Sequence, residues 1–220
     1  MTRMPPLYAS AHRTLGILLR GLWPTTVTGL ENLPATGAIL AANHHAIADQ
    51  LFLGINTPRH IAFWAKAEYF RGDGLVGGLT RRVVTGMGAI PVERAGGRAV
   101  LTAFDAAVPI LRGGGLVAVF PEGTRSPDGR LYRGRTGAVR LAGQAGVPVV
   151  PIGIRGTDHI RRAGDRFPRP QAISLAFGTP IPVKVESAPD ARRLTDELIA
   201  AIQALTGQEY AGSYAPIRHG

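Results

Sequence analysis

The sequence predicts an α/β fold: one layered domain whose largely buried mixed sheet is flanked by helices, with an amphipathic helix ahead of it. Three observations predict this. Short apolar runs alternate with segments of helical period along the whole chain. No internal repeat, low-complexity tract or long linker divides it. A length of 220 residues with 45% hydrophobic content suits a single domain with a substantial core.

The elements follow in order. Residues 7 to 22 come first, with Leu7, Ala11, Leu15, Leu18 and Leu22 at spacings of three and four and with Arg13 and Arg20 elsewhere on the wheel. The pattern is that of an amphipathic helix, and its apolar stripe has two possible seats, its own domain or a membrane interface. Six apolar runs read as strands: 37–43 (GAILAAN), 60–65 (HIAFWA), 89–92 (AIPV), 116–120 (LVAVF), 147–154 (VPVVPIGI) and 172–177 (AISLAF). Segments 49–55, 75–84, 98–112 and 135–144 between them read as helices. In the third of these, Val100, Phe104, Ala107 and Leu111 share a face, and Arg112 followed by Gly113 supplies a favourable last turn and a stop. A closing helix over 189–205 repeats Ala191, Leu194, Leu198, Ile202 and Leu205, with Ser187 and Asp190 as its capping pair and Gly207 at its end.

Composition narrows the function. With no cysteine there is no disulfide framework, no thiolate metal site and no cysteine nucleophile. The 25 Lys and Arg against 15 Asp and Glu give a net charge of +10. Lys66 and Lys184 are the only lysines, so a bias toward arginine accounts for the charge as well as an anionic partner does. Arg81-Arg82, 130–140 and Arg161-Arg162 are basic, but nucleic-acid motifs and interleaved aromatics are missing, which argues against nucleic acid as partner. The longest stretch without a polar residue, 145–154, is about ten residues with two prolines, short of the roughly 20 that span a bilayer. A single early arginine, a brief apolar run at 15–19 and no Ala-x-Ala site give no signal peptide, so a cytosolic location is expected.

Chemistry concentrates at strand ends, where α/β proteins carry reactive groups. The first strand runs into Asn43-His44-His45-Ala46-Ile47-Ala48-Asp49. A carboxylate returning across one tight turn can bond one imidazole nitrogen, fixing the tautomer and stabilising the imidazolium. The heptapeptide alone admits equally a helix cap. Gly88-Ala-Ile-Pro-Val-Glu93-Arg94 and Phe120-Pro-Glu122-Gly123-Thr124-Arg125 each bring a guanidinium to a strand terminus, where bidentate phosphate recognition suits arginine and Gly123 allows close backbone approach. Either segment by itself reads equally as a surface ion pair or turn. Adjacent histidines on a strand end point apart and no further ligand cluster is visible, so no metal is expected.

Taken with Val147-Pro-Val-Val-Pro-Ile152, these segments resemble the four ordered blocks of the glycerolipid acyltransferase family, of which the 1-acylglycerol-3-phosphate (lysophosphatidate) acyltransferases are the best-known members. The resemblance covers roughly residues 25 to 180. It implies transfer of a fatty acyl group from acyl-CoA or acyl-carrier protein to a lysophospholipid hydroxyl, most simply that of 1-acyl-sn-glycerol-3-phosphate, with no cofactor beyond that co-substrate. His44 would be the general base and Asp49 its orienting partner. Lys66, Arg94 and Arg125 would hold the acceptor's phosphate, with Glu122, Gly123 and Thr124 completing that substrate-binding block. The 147–152 block is assigned to packing or to the wall of an acyl channel. The layout implied is residues 1–24 as a membrane-docking helix, 25–206 as the acyltransferase domain and 207–220 as a tail. The protein would then sit on the cytoplasmic side of the membrane, peripheral or monotopic, against an anionic surface. His45-Ala-Ile-Ala-Asp49 also resembles the HHxxxD signature of another thioester-dependent acyltransferase superfamily, in which the second histidine is the base and the acceptor is not a lipid. A lipid-binding protein without catalysis is the non-enzyme alternative.

Overall fold

The computed structural model describes residues 4–93, 97–160 and 166–216. Among the described residues, eight strands and seven helices follow one another as α1 (Pro6–Leu22), β1 (Thr25–Thr28), β2 (Ala38–Ala42), α2 (Ala48–Asn56), β3 (Ile61–Ala62), β4 (Trp64–Lys66), α3 (Glu68–Arg71), α4 (Gly74–Gly86), β5 (Ile90–Val92), α5 (Gly97–Arg112), β6 (Leu116–Val119), α6 (Gly137–Ala145), β7 (Val149–Arg155), β8 (Ile173–Phe177) and α7 (Ala188–Thr206). Six strands form one sheet in the order β1-β8-β7-β2-β6-β3. Every neighbouring pair is parallel except β7 with β8, so the sheet is mixed.

Alternation along the central strands divides the core in two. Ile39, Ala41, Val117 and Val149 face a layer built from α5, α6 and α7, where Ala107, Leu111, Leu141, Leu198 and Ile202 pack. Leu40, Ala42, Leu116, Val150, Ile152 and Ile154 face the other side, where Phe52 and Leu53 of α2 meet Leu19 and Trp23. Strands covered on both faces become continuously apolar, which is why β2 and β7 read as unbroken hydrophobic runs. In α5, Phe104, Ala107 and Leu111 lie on the core side; the side chain of Val100 lies outside the described part. The 147–152 block is core strand: Val149, Val150 and Ile152 are at most 1% exposed.

Three departures from the sequence reading have physical causes. The run 60–65 is two strands, because the chain leaves β6 at Phe63; β4 then pairs with β5 in a separate two-stranded parallel sheet, and Trp64 Nε1 donates to Ala118 O at 2.8 Å. β1, with sequence TTVT, is an edge strand half in solvent and carries little apolar signal. On α1 the packed side is Tyr8, Ala11, His12, Leu15 and Leu19, while Leu7, Leu18 and Leu22 of the expected stripe are 44 to 57% exposed and Ile17 is 69% exposed. Polar contacts set this rotation. Tyr8 Oη donates to Gly54 O (3.2 Å), Arg20 Nη1 donates to Ile55 O (2.8 Å), and His12 Nε2 lies 3.1 Å from Thr57 O. These are carbonyls that the end of α2 leaves without helical partners, and a cation there also meets the negative end of the helix dipole.

The residues after α7 return across the body. Leu131 N–H donates to Glu209 O, Ala211 N–H to Leu131 O and Arg133 N–H to Ser213 O, so the chain from 209 to 213 runs along 131–133.

Candidate active site

β2 and β6 are parallel neighbours, so the loops leaving their carboxyl ends, 43–47 and 120–126, meet at one edge of the sheet. The first is fixed by Asn43, which is wholly buried. Its Nδ2 donates to Ile154 O and its Oδ1 accepts from Ile154 N–H, both at 2.8 Å. The side-chain amide thus continues the β2–β7 ladder one step past its last backbone pair, Ala42 with Ile152.

The turn from His44 to Asp49 then closes on one oxygen. Asp49 Oδ2 accepts from His44 Nδ1 (2.7 Å), His45 N–H (2.7 Å) and Ala46 N–H (2.9 Å). Asp49 is fully buried in the first turn of α2, and its Oδ1 has no hydrogen-bond partner among the described residues. The His44 ring is stacked on Phe120, with centroids 3.9 Å apart and planes 17° from parallel. With Nδ1–H committed to Asp49, the free lone pair is on Nε2, for which no partner is present among the described residues. That tautomer is the one a general base needs. His45 gives Asp49 only its backbone N–H.

Glu122 lies beneath this turn. It is fully buried, and its Oε1 and Oε2 accept from His44 N–H (3.0 Å) and Tyr132 N–H (2.9 Å). Ser126 N–H donates to His44 O at 2.7 Å, so the two loops hold each other through both backbone groups of His44. Burial, reinforced by the neighbouring Asp49 charge, pushes the Glu122 carboxyl up to about 7, against the pull of its two backbone donors. Both Glu122 oxygens are thus engaged by backbone N–H groups, and the side chain positions the backbone of His44. Gly123, at φ +78°, takes a left-handed turn on the exposed side of the same loop, with Thr124 half-buried and Arg125 exposed.

Lys66 ends β4 in register with Val92 of β5, and neither Lys66 nor Arg125 has an ion-pair partner among the described residues. Arg94 lies outside the described residues. Sequence reasoning missed the ring of Phe120 and the ladder role of Asn43. An aromatic just before Pro-Glu-Gly was the only signal for the first, and the second depends on a neighbour 111 positions away.

An apolar cleft of about 390 Å³ lies between α1, α2 and the end of β3, lined among others by Tyr8, Leu15, Ile47, Leu51, Phe63 and Met87. Ile47 precedes α2 and Leu51 lies in its first half, so the cleft adjoins the start of the helix that carries Asp49.

The fold and the pair define an α/β protein that presents a histidine oriented by a buried carboxylate at the carboxyl ends of parallel strands. The family model named Acyltransferase matches residues 24–155, and the chain belongs to that family. A chloroplastic 1-acyl-sn-glycerol-3-phosphate acyltransferase (BAT2) from Brassica napus is 33% identical over 144 residues, 64% of this chain and 40% of that protein. The chain thus spans about two fifths of that relative's length. A 1-acyl-sn-glycerol-3-phosphate acyltransferase from Bacillus subtilis is 29% identical over 180 residues, 80% of this chain and 82% of that protein. The crystal structure of the 1-acyl-sn-glycerophosphate acyltransferase PlsC from Thermotoga maritima superposes with a TM-score of 0.64 at 27% identity, covering 90% of this chain and 80% of that one.

Proposed function

We propose that the chain is an O-acyltransferase that moves a fatty acyl group from an acyl thioester, acyl-CoA or acyl-carrier protein, to the free hydroxyl of 1-acyl-sn-glycerol-3-phosphate, giving phosphatidate. The observation that carries the reading is the 2.7 Å contact from His44 Nδ1 to the buried Asp49, which leaves Nε2 free. Nε2 takes the acceptor's hydroxyl proton as that oxygen bonds to the thioester carbonyl carbon. Asp49 stabilises the imidazolium, and collapse of the tetrahedral adduct breaks the carbon–sulfur bond. The proton then passes from Nε2 to the departing thiolate, so base and proton return to their starting state and no acyl-enzyme forms.

Lys66, Arg94 and Arg125 hold the acceptor's phosphomonoester, and the cleft takes an acyl chain. The sequence relatives with that printed activity support this acceptor. A membrane would deliver both lipids. α4 presents Leu75, Val76, Leu79 and Val83 at 44 to 96% exposure, and its first residues Leu75 and Val76 are more exposed than any apolar residue of α1. Arg81 and Arg82 lie in the middle of the same helix. Among the described residues no helix is long and apolar enough to cross a membrane. α1 and α4, which touch where Leu7 meets Gly86, would lie in the interface of an anionic leaflet on its cytoplasmic side.

Incubation with an acyl thioester and a panel of lysophospholipids, following thiol release, tests the reading. Release with 1-acylglycerol-3-phosphate is expected, with a loss of about 10²–10⁴-fold in His44→Ala and retention in His45→Ala. The reverse pattern would move the base to His45, and no release with any lysolipid from either donor would remove the acyl-transfer reading.

A further inference from the structure

A second concentration of unneutralised positive charge stands on the rim of the site. Arg133 and Arg135 lie between the 120–126 loop and α6, where the returning tail pairs with Arg133. That pairing puts the ring of Tyr214 under both guanidinium groups, 5.3 Å from Arg133 Cζ and 5.4 Å from Arg135 Cζ. Tyr214 Oη accepts from Arg192 Nη1 at 3.3 Å, and Arg192 is itself paired with Asp196 through two nitrogens. Among the described residues neither Arg133 nor Arg135 meets a carboxylate. One ring face returns only about 0.5–1 kcal/mol to an exposed cation, which leaves two like charges gathered on one ring and open to solvent.

The place of this pair relative to the chemistry is set by Gly123. A Cβ at position 123 would come within 2.8 Å of Arg135 Nε and 2.9 Å of its Cδ, so the Arg135 side chain rests on the bare glycine. Arg135 N–H also donates to Pro121 O at 2.7 Å. The residue between those two contacts is Glu122, which carries the His44 backbone. Lys66, by contrast, is held on the separate β4–β5 sheet.

We propose that Arg133 and Arg135, supported by Tyr214, form a seat for the phosphates of the donor's coenzyme A group. The inference rests on the acyl-transfer reading and assigns that site a donor. Acyl transfer between two phosphate-bearing substrates needs two anion sites, because acceptor hydroxyl and donor carbonyl must meet at one base while their charged ends stay apart. The pantetheine arm carries coenzyme A's phosphates away from the thioester to the rim. Two planar guanidinium forks held in common suit compact phosphate oxygens in a way that scattered surface charge does not.

Calorimetric titration of free coenzyme A into the whole protein, with no acceptor present, tests the seat directly. Saturable binding is expected, weakened at least tenfold in the Arg133→Ala, Arg135→Ala double variant and in Tyr214→Ala. In turnover the double variant should raise the KM for acyl-CoA about tenfold while kcat and the acceptor's KM stay within twofold. If the double variant does not fold, Arg135→Gln, which keeps the methylenes on Gly123, gives the same readouts. A rise in the acceptor's KM with coenzyme A binding intact would assign the seat to the acceptor and overturn the proposal. So would a rise in KM confined to acyl-carrier protein, unchanged parameters for every substrate, or a wild-type protein that does not bind coenzyme A. Loss of coenzyme A binding in the variants of a protein that acylates no lysolipid would leave the coenzyme A seat standing and remove the lysolipid acyl-transfer reading, so the two failures are distinguishable.

Discussion

His44 gains its orientation from a single carboxylate oxygen, and Glu122 gains its effect from having none of its own surface. The buried Glu122 carboxyl titrates near 7 in place of its usual 4.5. Between those values the folded protein keeps a proton that the unfolded chain has already lost, so stability declines as pH rises through the window and levels off above it, by about 3 kcal/mol for a shift of this size. Glu122→Gln removes the titration but turns an amide NH₂ toward one of two backbone N–H groups, at a cost of about 1–3 kcal/mol. In urea denaturation the gap between wild type and variant should therefore be widest near pH 5 and close toward pH 8; a gap constant with pH would show that Glu122 does not titrate in that range. The pairing of His44 with Asp49 was legible in the sequence because one tight turn joins them. The role of Glu122 was not, because it depends on β2 and β6 being parallel neighbours, a fact that no local pattern carries.

At the scale of elements, periodicity read the helices well and the sheet less well. α5, α6 and α7 follow their apolar stripes to within a residue or two, and α7 begins at Ser187, whose Oγ accepts from Asp190 N–H and which the sequence marks as a cap. Apolar runs identify strands but not their partners, so the split between β3 and β4 was hidden inside one continuous run. Asn43 shows what an element boundary can hide. Asn43→Ala leaves both backbone groups of Ile154 buried and unpaired, and should lower stability by about 2–4 kcal/mol in chemical denaturation. Asn43→Asp keeps the acceptor and loses the donor, and should fall between. α4 is the converse case, a helix whose period is clear and whose apolar side has no core to join. Leu75→Ser, Val76→Ser and Leu79→Ser together should reduce cosedimentation with anionic vesicles several-fold and leave the thermal unfolding midpoint nearly unchanged, since no residue of α4 is buried. A large drop in that midpoint would place the face against protein.

Across the whole molecule the net charge of +10 resolves into separate tasks. Arg20 closes the end of α2, Arg192 pairs with Asp196 one turn along α7 and ties that helix to the carbonyl of Gly134, and Arg59 bonds the carbonyls of Pro34, Thr36 and Gly114 at the far end of the sheet. These are structural arginines, and composition could not separate them from Lys66, Arg125, Arg133 and Arg135, which meet no carboxylate among the described residues. β1 has a further consequence, for the time course of folding. Its one neighbour in the sheet is β8, with Thr25 opposite Ile173, so the strand that follows α1 waits for a partner from near the other end of the chain. Contacts so distant in sequence form late and slowly. Val27→Ala, at the middle of that pairing, should therefore speed unfolding in stopped-flow measurements and leave the refolding rate nearly unchanged. Until β8 arrives, the strand that follows α1 has no partner in the sheet, and α1 is held to the body by its contacts with α2 and α4, so the helix can dock before the sheet edge beside it is complete.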